Sequence, residues 1–168
     1  MALLGSILKR AINLRKAMPH LPQNGFRIQM RTLRRLLSRA EYTAFGEQYN
    51  FSKILNDKDI VKMFQNAVPA HDYNKIFRRW WYRSLNGEPF ICWPGKVKYF
   101  ALSPGTSEAS SKQIPVTKDM IRAIRRASVK QILSQSHYNL PKEHFERGIL
   151  MLGGSTHLNF NGTYFEGD

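Results

Sequence analysis

Apolar residues in the first half of the chain recur every three to four positions, the spacing that lines one side of a helix. Leu4, Ile7, Leu8, Ala11 and Ile12 make a first stripe with Lys9, Arg10 and Lys16 mostly off it, and Pro19, Pro22 and Asn24-Gly25 break the pattern. A second helix is predicted with Phe26, Met30, Leu33, Leu37, Ala40 and Ala44 on its buried face. Arg27, Arg31, Arg34, Arg35 and Arg39 fall elsewhere, and Gly46 ends it. Two shorter helices follow. Asn56 or Asp57 caps one that carries Ile60, Val61, Met63 and Phe64 and stops before Pro69. Asp72 caps another bearing Tyr73, Ile76, Phe77, Trp80 and Trp81, closed near Asn86-Gly87.

Beyond Gly87 the pattern changes. Glu88-Pro89 and Trp93-Pro94-Gly95 punctuate a connector, and Val97 to Leu102 reads as a strand running into a loop of small residues. After the loop, Ile114-Pro115-Val116-Thr117 leads into a helix for which Thr117 is the N-cap, with Asp119 suited to the dipole of its first turn. That helix is predicted to turn Ile121, Ile124, Ala127, Ile132 and Leu133 inward and to reach about Gln135. Gly148 to Leu152 is a candidate second strand, closed by a turn at Gly153-Gly154-Ser155-Thr156. The elements add up to an α/β protein, mainly helical over 1–95, with strand, loop, helix and strand over 96–168.

A hydrophobic content of 42% and an aromatic content of 12% exclude wholesale disorder. No apolar run approaches the roughly 20 residues of a membrane span. The basic residues Lys9, Arg10, Arg15 and Lys16 lie after and between the first apolar residues, unlike a secretory signal, where they precede them. Cys92 is the only cysteine, which rules out an internal disulfide and makes a reducing, cytoplasmic setting the expectation. Between Ile91 and Trp93 it reads as a small packing residue, not a nucleophile. The five histidines show no metal-ligand spacing, so no metal site is expected.

Charge narrows the partners. The net charge is +14, and residues 1–40 hold nine Lys and Arg with no acid, while Arg122, Arg125, Arg126 and Lys130 form a second basic group. Such a field attracts anions, and the plainer reading is a solvated or partner-facing side of amphipathic helices. Arg78, Arg79 and Arg83 interleaved with Trp80 and Trp81 allow base stacking on nucleic acid; core packing with a cationic rim is the commoner use of that pattern.

The stretch from Tyr99 to Thr117 carries the most specific chemistry. A short apolar run gives way to Ser103, Pro104, Gly105, Thr106 and Ser107, and a lysine, Lys112, follows. Small residues let the backbone approach an oxyanion, hydroxyls and amides donate to it, and the lysine offsets its charge. The loop is not of the G-x-x-x-x-G-K-[ST] type, since six non-glycine residues separate Gly105 from Lys112.

Leu102, Ser103, Gly105, Thr106, Ser107, Lys112, Ile114 and Pro115 match, position by position, the phosphate loop of one branch of the acyl-adenylate-forming superfamily. On these residues the chain resembles the auxin-responsive promoter family of acyl-acid amido synthetases and its bacterial relatives. Ala44 to Phe51, Val68-Pro69 with Tyr73, Gly87-Glu88 and Trp93-Pro94-Gly95 are similar to that family's approach to its loop, so the likeness covers about residues 40–168. Two positions depart from it. Pro104 stands where the family usually has serine, removing one hydroxyl and one backbone donor. Glu108 adds negative charge, so either the loop makes fewer phosphate contacts than its relatives or Glu108 points to solvent.

The resemblance implies the start of an adenylate-forming domain over 96–168, with Ser103, Gly105, Thr106, Ser107 and Lys112 on the phosphates of ATP, accompanied by Mg²⁺. It implies a ligase that activates a carboxylic acid as an acyl-adenylate and conjugates it to an amine such as an amino acid. It also implies that a glutamate-bearing second motif, a ribose-binding aspartate and a mobile C-terminal domain lie beyond Asp168, so the chain is expected to be an N-terminal piece, inactive alone, with no catalytic residue of its own assigned. The alternatives are a basic nucleic-acid-binding protein and a non-catalytic interaction module.

Overall fold

The computed structural model describes residues 2–17, 24–103, 111–138, 140–145 and 157–167. The chain divides into two compact units, Met1–Pro22 with Lys118–Gly154, and Gln23–Thr117 with Ser155–Asp168.

The described residues of the first unit are mainly helical. Helix α1 (Ala2–Ala17) packs on a long helix further along the chain, Lys118–Ser134, and on 3₁₀ turns at Gln135–His137 and Lys142–Phe145. The predicted stripe of α1 is only partly used: Ile12 is buried, Leu8 is half-buried, and Ile7 and Ala11 face solvent.

The second unit holds the main core. Helix α2 (Gly25–Ala40) starts at Asn24, whose side chain accepts from Arg27 N at 3.2 Å. Its inward face begins at Met30 and ends on the buried Leu37 and Ala40; Phe26, expected on that face, is 67% exposed because it sits in the first turn, ahead of the core. The helix also stops earlier than its periodicity suggests. Buried Thr43 breaks it, donating through Oγ1 to Ala40 O at 2.7 Å and accepting from Gly46 N at 3.1 Å. Thr43 thereby caps a separate helix, α3 (Ala44–Gln48), so Gly46 is inside a helix and ends none. Its absent side chain lets α3 press against the carbonyls that close α2.

The connector from Gly87 to Lys98 has a job in the same place. Phe90 O and Ile91 O accept from Ala44 N and Phe45 N at 2.8 and 2.9 Å, satisfying two of the donors that a helix N-terminus leaves over. Helices α4 (Phe51–Leu55) and α5 (Ile60–Ala67) then bring Phe51, Ile54 and Ile60 into the core with Tyr49, Trp80 and Ile91. Each such large side chain, fully buried, contributes about 1.5–3 kcal/mol. The cap of α5 is Asp59, accepting from Lys62 N at 3.1 Å, whereas Asp57, one of the two expected caps, accepts from Asp59 N two residues earlier.

Asp72 caps the last helical stretch as expected, taking Lys75 N at 2.7 Å. That stretch is α6 (Tyr73–Ile76), a π-helical turn (Phe77–Trp81) and α7 (Tyr82–Leu85). The wide turn closes through Tyr82 N to Phe77 O and places Trp80 in the core beside the half-buried Trp81. Gly87, at φ +82°, follows the helix where a glycine end was predicted.

A four-stranded mixed sheet completes the unit. Strands β1 (Tyr99–Ser103), β2 (Lys112–Val116), β3 (Asn159–Phe160) and β4 (Phe165–Gly167) stand in the order β2-β1-β4-β3. β1 runs antiparallel to β2 and parallel to β4, and β3 pairs antiparallel with β4. Ile114 to Val116, expected only to lead into a helix, belongs to β2, with Pro115 opposite Phe100. Helix α8 (Lys118–Ser134) follows at once, but it buries no residue, and Ile124 and Ile132, predicted to point inward, are 54% and 37% exposed. The strand expected at 148–152 and the turn after it lie outside the described residues.

Candidate functional site

β1 and β2 form a hairpin whose connection is the loop singled out by the sequence. In its register Ser103 lies directly opposite Lys112, so the serine and the lysine of the candidate loop stand side by side at its mouth. Gly105, Thr106 and Ser107, with Pro104 and Glu108, lie outside the described residues.

Lys112 is exposed, and its Nζ stands 5.4 Å from the centre of the Tyr73 ring. Among the described residues no carboxylate forms an ion pair with it. The next residue is held three ways. Gln113 N donates to Tyr73 Oη at 3.0 Å, and its side-chain Nε2 donates to Tyr164 Oη and to Glu166 Oε2, both at 2.9 Å. Because Gln113 N points to Tyr73, away from β1, the nitrogen of Pro115 two residues on faces the same free side. A proline therefore costs this edge strand no ladder hydrogen bond.

Beneath the hairpin, Phe100 is buried and meets the Tyr164 ring edge to face at 4.8 Å, while Tyr99 stacks on Phe165 at 5.6 Å. Tyr164 and Glu166 come from the far end of the chain. Asn161 Oδ1 accepts from Thr163 N and Tyr164 N, and Gly162, at φ +92°, completes the turn that brings β4 back alongside β1. Tyr73, Gln113, Tyr164 and Glu166 were not picked out as site residues by their spacing; the polar Gln113 two residues before Pro115 was the available signal.

Other candidates take their places elsewhere. Burial pushes the Cys92 thiol up to about 12, with the Arg83 charge acting weakly the other way, so the thiolate is scarce at neutral pH. Trp80 is enclosed by Phe45 at 5.2 Å and Tyr49 at 6.4 Å, and the Arg79 guanidinium lies 5.2 Å from its ring centre. It is a core residue with a cationic rim, leaving no free face on which a base could stack. Its indole Nε1 is buried and has no hydrogen-bond partner among the described residues. Tyr49 Oη and His71 Nε2 are 3.1 Å apart, which ties the loop before Asp72 to α3.

Among the described residues no three His, Cys, Asp or Glu side chains gather to hold a metal ion, and no helix is long and apolar enough to cross a membrane. A family model described as the GH3 family N-terminal domain matches residues 14–159. No curated protein and no solved structure matches the chain.

Proposed function

From the chain's membership of the GH3 family, to which it belongs through the N-terminal domain it carries over residues 14–159, we propose that it supplies the phosphate grip of an ATP-dependent acyl-acid amido synthetase. The supporting observation is the register that sets Ser103 beside Lys112 at the mouth of a small-residue loop. Ser103 donates a hydroxyl hydrogen bond, the residues at 105–107 bring hydroxyl and amide donors on a backbone that Gly105 keeps slim, and Lys112 places a cation against the β- and γ-phosphates.

The chemistry such a grip serves is the activation of a carboxylate, itself a poor electrophile. A carboxylate oxygen bonds to the α-phosphorus of ATP and pyrophosphate leaves. An amine, for instance of an amino acid, then bonds to the acyl carbon, AMP leaves and the amine gives up a proton. Charge gathers on the pyrophosphate as it departs, and a fixed cation is worth more there than in the ground state. Mg²⁺ would arrive with the nucleotide and share that charge. Lys112, exposed and without a carboxylate partner among the described residues, fits such a ligand.

Titration of the 168-residue chain with MgATP tests the proposal. Lys112→Ala is expected to weaken binding at least about tenfold, the loss of one charge-assisted contact of roughly 1.5–3 kcal/mol. Equal affinity of the two proteins, or failure of the unaltered chain to bind, would overturn it.

A further inference from the structure

Resting on the phosphate-grip reading, we infer that Tyr73 is the positioning residue for Lys112, with its ring and its hydroxyl together holding the loop's lysine at the mouth before nucleotide arrives. A lysine on an exposed edge strand ordinarily samples many rotamers, and binding must overcome the entropy of fixing them. Here the ammonium lies within cation–π range of the Tyr73 ring, at 5.4 Å from its centre. The same side chain accepts from Gln113 N at 3.0 Å. One tyrosine thus fixes two successive residues of β2, Lys112 by its side chain and Gln113 by its backbone.

The arrangement also guards the register. A slip of β2 by one residue would carry Lys112 to the opposite face and away from Ser103. Tyr73 holds the outer side of β2, and the Gln113 side chain, bonded to Tyr164 and Glu166, ties the strand across β1 to β4. Tyr73 is itself well placed for this. It is the first residue of α6, directly after the capping Asp72, and it stacks on Phe77 at 5.4 Å and meets Trp81 edge to face at 6.0 Å. Lys112 stays exposed, so an anion can reach the ammonium without displacing the ring.

Two readouts on the full chain test this. In nuclear magnetic resonance spectra without nucleotide, the Lys112 side-chain protons are expected upfield of ordinary lysine positions, unchanged in Tyr73→Phe and restored to ordinary values in Tyr73→Leu. In MgATP titrations, Tyr73→Phe, which keeps the ring and loses the hydroxyl, is expected to weaken binding about threefold, and Tyr73→Leu about tenfold. Adding Tyr73→Leu to Lys112→Ala is expected to weaken binding no further. Wild-type affinity in Tyr73→Leu beside weakened binding in Lys112→Ala would overturn the role of Tyr73 and leave the phosphate grip standing. Wild-type affinity in Lys112→Ala would overturn the grip itself. Should Tyr73→Leu not fold, as judged by circular dichroism, Tyr73→Phe decides: a threefold loss supports the inference and wild-type affinity overturns it.

Discussion

Gly46 shows how one residue without a side chain can fix two helices. A Cβ there would run into the carbonyl of Ala40 and come within 2.7 Å of Glu41 O, both backbone atoms that cannot swing aside. Gly46→Ala is therefore expected to cost about 2–3 kcal/mol, seen as a lower urea midpoint with an unchanged slope. The sequence points to Gly46 correctly as a special position but for the wrong reason. A glycine after an apolar run usually ends a helix, and here close approach of two backbones, which no local pattern encodes, is what demands it. Cys92 is the opposite case. Its neighbours Ile91 and Trp93 already announce a packed thiol, and burial raising it to about 12 agrees.

Among the elements, the helices α3, α5 and α6 each start at a side-chain cap, on Thr43, Asp59 and Asp72. Asp59 accepts from the third residue of α5, so Asp59→Ala is expected to lower stability by about 1 kcal/mol, whereas Asp57→Ala, which leaves that bond intact, is expected to cost less than half as much. Thermal denaturation of the two variants side by side checks the order. The two expected caps, Asn56 and Asp57, and the actual one, Asp59, are all chemically able to cap, and only the backbone geometry selects Asp59. The β2 strand was hidden for a different reason: Pro115 argues against a strand unless the strand lies at an edge with its nitrogen turned outward, which is a property of the sheet and not of the segment. The β3–β4 hairpin is only two and three residues per strand, too short for alternation to register, although Asn161-Gly162 between them is a turn signal in its own right.

For the molecule as a whole, acid is the revealing perturbation. Backbone hydrogen bonding from Lys75 holds the Asp72 carboxyl below the usual carboxylate range, and the hydrogen bond from Arg83 does the same for Glu88, with Arg83 Nε to Glu88 Oε2 at 2.8 Å. Both pKa values are lower in the folded state than in the unfolded one, so the stabilisation is complete above the unfolded values, near pH 4, and is lost as pH falls through the folded ones. The urea midpoint is expected to drop between pH 6 and pH 3, and to drop less in an Asp72→Asn, Glu88→Gln double variant; an equal drop would assign the loss to other groups. Sequence by itself determined the α/β class, the positions of most helices, the cap at Asp72 and the loop text at Leu102 to Pro115, because apolar period, capping chemistry and small-residue runs are local properties written in neighbouring residues. Tertiary structure alone decided that Ser103 faces Lys112, that Tyr73 reaches both Lys112 and Gln113 across some forty residues, and that Tyr164 and Glu166 join them. Those meetings depend on strand register and on the packing of α6 beside an edge strand, which are set by long-range burial and backbone pairing that no short window of sequence contains.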